Sequence, residues 1–168
     1  MTPDAAPSLN RNQSMRFRTA LQSDAEALAR LINAAFVVER PIFSGDRTSA
    51  DGVRAYMEKG KFLLAEDSIG LAGCVYVELR GDRGYIGLLS VEPQRQGSGW
   101  GRKLMDAAEQ FFRERGCAAV DLRVVSARTP LPAFYRHLGY IESHTAPVPI
   151  ETQPKVPCHF IYMSKRLA

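Results

Sequence analysis

Gly97, Gly99 and Gly101 stand at alternate positions in the segment Gln96-Gly97-Ser98-Gly99-Trp100-Gly101-Arg102-Lys103, and glycines so spaced let a backbone approach a ligand closely. The segment follows an apolar run at 85–91 and precedes a helical pattern, so the free N–H groups of the helix start face into the turn and suit an anion. Arg95, Arg102 and Lys103 add positive charge there. Basic residues in a first helical turn oppose the helix dipole by roughly a few tenths of a kcal/mol, a mismatch that a bound phosphate offsets. Three phosphate-binding patterns compete for the loop. A P-loop needs Lys directly after its last Gly and then Ser or Thr, whereas Gly101 is followed by Arg102, Lys103 and Leu104. A dinucleotide fingerprint beginning at Gly97 needs a third Gly at 102, which is Arg, and its ribose partner, Asp121, falls at the wrong end of the next strand. The third pattern, Gln/Arg-x-x-Gly-x-Gly, is met from Gln96 to Gly101.

The elements that position this loop read as follows. Residues 15–19 alternate apolar and polar as a first strand. Ser23-Asp24-Ala25-Glu26 has the form of a capping box opening a helix whose buried stripe is Leu28, Leu31, Ile32, Ala35 and Phe36. A shorter helix is expected over 50–59, stopped by Gly60. Residues 62–65, 71–80 and 85–91 form an antiparallel meander that runs into the glycine loop, with Val75 and Val77 on one face and Cys74 and Tyr76 on the other. After the loop, Leu104, Ala108, Phe111 and Phe112 make an apolar helix face ended by Gly116, and Val120, Leu122 and Val124 alternate in a strand. Strand, helix, strand in that order implies a parallel pair with a right-handed crossover. Thr129 and Pro130 mark the start of a helix stopped by Gly139. Strands near 140–143 and 158–164 flank a proline-bearing loop.

The chain of 168 residues, 45% hydrophobic and 24% charged, has the composition of a soluble globule with a core of its own, and the order of its elements makes it one α/β domain on a mixed sheet. Residues 1–14 are expected to be a disordered lead-in without a secretory h-region, and 15–168 one domain. No apolar run reaches the roughly 20 residues that span a bilayer. Cys74, Cys117 and Cys158 lack metal-ligand or disulfide spacing and read as free thiols of a cytoplasmic protein, with no metal site. The net charge of +4 is compatible with nucleic acid or with an enzyme that holds a polyphosphate cofactor, the basic residues are scattered rather than run together, and charge alone does not decide between them; neither nucleic acid nor a membrane is expected as partner.

A second constellation, Leu131-Pro132-Ala133-Phe134-Tyr135-Arg136-His137-Leu138-Gly139-Tyr140, accompanies the glycine loop. Taken together, the two motifs, in this order and with a strand between them, resemble the GNAT superfamily of acetyl-CoA-dependent N-acetyltransferases over 15–143. The resemblance implies a mixed, mostly antiparallel sheet with one parallel, splayed strand pair and flanking helices. It further implies that backbone groups near Leu89 and Val91 pair with the pantetheine arm of acetyl-CoA. The amides of Gln96, Gly97, Ser98, Gly99, Trp100 and Gly101, with Arg102, take its pyrophosphate. Tyr135 matches the family's general acid; a phenol with reference pKa near 10 stays protonated at neutral pH and can donate to a leaving sulfur. The implied reaction is direct attack of a primary amine on the acetyl carbonyl through a tetrahedral intermediate.

An alkyl amine with a reference pKa of about 10.4 is neutral to only about one part in two thousand at pH 7, so a proton acceptor is needed. Family members often carry Glu on the glycine-loop strand; this chain has Ser90 and Glu92 there, with Glu78 and Glu39 as further candidates. Arg128 replaces an Asn that the family often has seven residues before the Tyr, and is a candidate to pair with a cofactor phosphate or an anionic substrate. The expected acceptor is a small-molecule or peptide amine, bound where the loops 37–47 and 145–157 meet the cleft, and the expected assembly is a monomer or homodimer. A non-catalytic CoA-binding sensor is the competing reading.

Overall fold

The computed structural model describes residues 15–167; the expected lead-in at 1–14 lies outside them. Seven strands form one sheet, and in chain order the elements are β1 (Arg16–Thr19), α1 (Ala25–Ala35), α2 (Ala50–Lys59), β2 (Lys61–Asp67), β3 (Gly70–Arg80), β4 (Arg83–Val91), α3 (Trp100–Glu114), β5 (Ala119–Val125), α4 (Pro130–His137), β6 (Ile141–Pro147) and β7 (His159–Arg166). The spatial order is β1-β2-β3-β4-β5-β7-β6, antiparallel throughout except for the β4–β5 pair. This is the mixed, mostly antiparallel sheet expected from the sequence. No helix among the described residues is long and apolar enough to cross a membrane.

The central strand β3 is buried on both faces from Ala72 to Val77. On one side Val75 and Val77 pack with Leu104, Met105, Ala108 and Phe112 of α3. On the other, Cys74 and Tyr76 pack with Leu28 and Ile32 of α1 and Val53 of α2. The four α3 residues are each 0% exposed, and full burial of a large apolar side chain contributes roughly 1.5–3 kcal/mol. That packing fixes α3, and with it the glycine loop at its start, against the middle of the sheet. A buried cluster adds to it: Glu109 of α3 accepts from Lys165 Nζ of β7 at 3.0 Å and from Tyr140 Oη at 3.0 Å.

Two capping expectations are corrected. The Ser23 box does not form, because Asp24 instead accepts from the Leu21 amide at 2.7 Å and from both terminal nitrogens of Arg18 at 2.8 and 2.9 Å. The guanidinium hydrogen bonds hold the Asp24 carboxyl below its usual range, and a 3-10 turn at Gln22–Asp24 precedes α1. Thr129 makes no side-chain cap to α4; Pro130 at its first position leaves one fewer amide to satisfy. Ser49 does cap α2, its Oγ accepting from Gly52 N at 3.0 Å.

Candidate active site

The β4–β5 ladder is short. It pairs Arg83 with Ala119, Gly84 with Val120 and Tyr85 with Asp121, and a bidentate Arg83–Asp121 ion pair at 2.7 Å fastens that end. Farther along, β5 stays with β7 while β4 stays with β3. A bulge explains the divergence: Tyr76 faces Gly87 and Cys74 faces Ser90, so Leu88 and Leu89 lie opposite Val75 alone. Leu88 takes the left-handed conformation, φ 49°, and Ser90 Oγ donates to its carbonyl at 2.9 Å. An extra residue on one strand bends it, and here the bend opens a cleft of about 540 Å³ between β4 and β5.

The glycine loop closes one end of the cleft. Gly97 and Gly99 have φ of 83° and 86°, and a Cβ built on either would meet nothing within 4 Å. The requirement for glycine there is therefore conformational, and the space above the loop is open. Among the described residues, no acceptor takes the amides of Gly97, Ser98 or Gly99, and the first amides of α3 are unpaired by helix geometry. An anion held here would meet a row of N–H donors beside Arg95 and Arg102, both in the lining. The loop is braced from behind: Arg95 pairs with Asp67 at 2.9 Å, and Ser98 Oγ donates to Arg95 O at 2.6 Å. Ser98 thus turns its hydroxyl back into the loop and does not line the cleft. Trp100 packs against the central core. Gln96 Nε2 donates to the Val91 carbonyl at 3.2 Å, so an extended ligand that uses that carbonyl must displace the Gln96 side chain.

Tyr135 of α4 lines the cleft. It is 8% exposed, and its ring meets Phe134 and Tyr140 edge-on, with centroids at 5.0 and 6.0 Å. Burial pushes its pKa up to about 12, against a smaller lowering from Arg128. Its hydroxyl makes no hydrogen bond among the described residues, which leaves the proton free for a ligand. Glu92 does not reach the cleft: its carboxylate accepts from Gln94 N at 2.9 Å and caps the turn at Pro93–Arg95. Glu78 is likewise engaged, by Tyr76 Oη at 2.7 Å and Arg80 Nε at 2.9 Å. Glu39 is the carboxylate that faces the cleft. Its side chain is 12% exposed and lies 3.5 Å from Arg128. Burial raises its pKa above the usual carboxylate range, opposed by the charges of Arg128 and Arg47.

The model of the acetyltransferase (GNAT) family matches residues 25–140. The chain belongs to that family. A mycothiol acetyltransferase from Clavibacter sepedonicus is 34% identical over 87 residues, 51% of this chain and 29% of that protein. Another, from Propionibacterium freudenreichii, is 27% identical over 135 residues, 76% of this chain and 43% of its own. The chain therefore spans less than half the length of these curated relatives. Among solved structures, nourseothricin acetyltransferase superposes with a TM-score of 0.72 at 26% identity, covering 92% of this chain and 99% of that one. The Salmonella typhimurium protein yncA, solved with its cofactor acetyl-CoA, gives 0.72 at 19% identity, over 92% and 94%.

In this GNAT chain a second cavity of about 470 Å³ adjoins the cleft. The two share Phe36, Glu39, Gly87, Leu88 and Arg123 in their linings, so Glu39 and the bulge stand at their junction. The loops 37–47 and 145–157 do meet here. Val148 packs with Ile42 and Val125, while Lys155 donates from N to Ile42 O at 2.7 Å and from Nζ to Arg40 O at 2.9 Å. Sequence reasoning did not single out Glu39 over other carboxylates, nor Leu88 or Arg123 at all. The signal available for Glu39 was Arg128, a cation in a place where the family often has a neutral amide and therefore in want of a partner.

Proposed function

We propose that this chain, over 15–168, is an acetyl-CoA-dependent N-acetyltransferase acting on a primary amine by direct transfer, with Tyr135 as general acid and Glu39 as the proton acceptor. The observation that carries this reading is the junction itself: one cavity bears an anion-binding loop and a protonated phenol, the adjoining one opens to solvent, and a half-desolvated carboxylate sits between them. The cleft residues fit acetyl-CoA, because the open, unpaired amides at Gly97–Gly99 suit a pyrophosphate and the unladdered edge of β4 at Leu89 and Val91 suits an extended amide-bearing arm. Bound there, acetyl-CoA supplies an activated acetyl thioester.

The side chains then have distinct tasks. Glu39 takes a proton from the incoming ammonium, and its raised pKa brings it nearer the working pH that suits a base. Tyr135, protonated well beyond neutrality, supplies a proton to the departing sulfur. Arg128 keeps Glu39 anionic despite its burial and is within reach of the cleft for a cofactor phosphate. No residue needs to carry the acetyl group.

Calorimetric titration of CoA and a thiol-release assay with acetyl-CoA and a panel of primary amines test the proposal. Binding together with amine-dependent thiol release is expected. Binding without any acceptor-dependent release would favour a non-catalytic CoA sensor, and no CoA binding would sink the proposal.

A further inference from the structure

The second cavity carries more cationic charge than its own carboxylates neutralise. Of the arginines that line it, Arg40 pairs with Asp46 at 3.8 Å. Arg47 and Arg123 form no salt bridge and no hydrogen bond among the described residues. Each lies over an aromatic ring instead, Arg47 5.5 Å from the centroid of Phe36 and Arg123 4.1 Å from that of Phe160. A guanidinium held against a ring is oriented but keeps its N–H donors at its rim, where a carboxylate is gripped in the plane. Arg123 also bears on Tyr85, whose pKa burial raises and Arg123 lowers.

Most of the remaining lining is apolar or aromatic, with Ser44 and Thr152 as the polar exceptions. Val125, Val148, Phe43 and Phe160 line it and pack in one cluster with the buried Ile42, and the hydroxyl of Tyr76 is already committed to Glu78. The Lys155 hydrogen bonds tie together the two loops that bound this side, so the space suits a free small molecule, and its volume lies in the usual range for one.

We infer that the acceptor is an amino acid with an apolar or aromatic side chain, its carboxylate taken by Arg123 and Arg47 and its amine directed to Glu39. The inference rests on the proposed entry of the amine from this cavity. The amine nitrogen bonds to the acetyl carbon and the carbon–sulfur bond breaks; of the two protons that the ammonium gives up, the first goes to Glu39 and on to solvent, and the second restores Tyr135 through solvent after the Tyr135 proton has passed to sulfur, giving an N-acetyl amino acid and the CoA thiol.

Matched pairs that differ by the carboxylate test it: L-phenylalanine against phenethylamine, L-tyrosine against tyramine and L-leucine against isopentylamine, with phosphoethanolamine as a phosphate-bearing control. Thiol release from acetyl-CoA gives kcat/KM for each. The amino acid is expected to exceed its partner about tenfold or more, as suits a charge-assisted bidentate contact. An α-amine is less basic than an alkyl amine, which favours the amino acid equally in every variant, so the change in ratio is decisive. Arg123→Gln should lower the ratio by about fivefold or more, and Arg47→Gln, at a residue that lines the acceptor cavity alone, should lower it in the same direction. Equal losses for both members of a pair, a preference for the decarboxylated amine, or a preference for phosphoethanolamine would overturn the inference. Acetyl-CoA binding with no turnover of any amino acid would overturn it too while leaving the cofactor reading intact. Failure to bind acetyl-CoA would remove the proposed function beneath it.

Discussion

Tyr135→Phe separates chemistry from structure more cleanly than any other change in the cleft. The substitution removes one oxygen and keeps the ring, so the edge-on contacts with Phe134 and Tyr140 persist. It breaks no protein hydrogen bond among the described residues, and the lost hydroxyl opens on the cleft rather than standing as a buried polar atom without a partner. Stability should therefore stay within about 0.5 kcal/mol of the parent, or rise slightly. Turnover should not. Loss of a general acid costs about 10²–10⁴-fold, equivalent to roughly 2.7–5.4 kcal/mol of barrier. The leaving group sets where in that range the effect falls: a thiol with a pKa near that of cysteine, about 8.5, departs tolerably as the thiolate, so a loss of about 10²-fold is expected. Thiol release at saturating acetyl-CoA gives kcat, calorimetry gives the CoA affinity, and thermal unfolding gives the stability control. Because burial holds the phenol at about 12, it remains protonated up to about pH 10, and no alkaline fall in rate below that should vanish in the variant. A variant with parental kcat would remove Tyr135 as the acid. A fall in affinity as large as the fall in turnover would make it a binding residue instead.

Glu39→Gln should lower kcat/KM by about 10²-fold and abolish the acid limb of its pH profile. In the proposed reaction Glu39 acts as the carboxylate, and its pKa is raised, so in the parent activity should be lost on acidification at a pH above the ordinary carboxylate value of 4.5; an unchanged limb in the variant would assign it to another group. Gly84→Ala should destabilise by about 1–3 kcal/mol in urea unfolding, because a Cβ there falls 2.5 Å from the buried Phe112 ring; a neutral result would mean that α3 can shift away from β4. Lys165→Met should cost about 3 kcal/mol by leaving the Glu109 carboxylate buried without its main cation, and adding Glu109→Gln should restore part of the loss.

What the sequence disclosed, and what it withheld, follows from where the physical constraint sits. The glycine loop was legible because its demand is written in residue type: Gly97 and Gly99 adopt angles that other residues avoid. The strand order through 62–91 was legible because alternation and turn chemistry are local. Both faces of β3 proved buried because helices from distant parts of the chain cover each side, which a periodicity read on one strand does not reveal. The Ser23 cap failed for a similar reason. Arg18, on the preceding strand six residues back, draws Asp24 into a bidentate pair, and a contact between two elements displaced a motif read within one. Glu39 was the costliest case. Nothing in its neighbourhood marks it out from other helix-end carboxylates; the 3-10 turn at Phe36–Glu39 carries it inward, and its partner Arg128 lies 89 positions away.

Leu88 ties these threads together. A branched residue held at φ 49° costs on the order of 1–2 kcal/mol, and no sequence pattern announces it. The surrounding structure enforces that conformation through the Ser90 hydrogen bond and the β3 register on both sides. A straight β4 would continue its ladder with β5 past Tyr85, and the cleft would close along its length. Strain is thus stored at a residue that lines both cavities, where the proposed reaction brings an acyl carbonyl from one side to an amine from the other. Backbone strain at such a junction is expected when its release would destroy the site, and the bulge that separates β4 from β5 shares the junction with Glu39 and Arg123, while Tyr135 lines the cleft beside it.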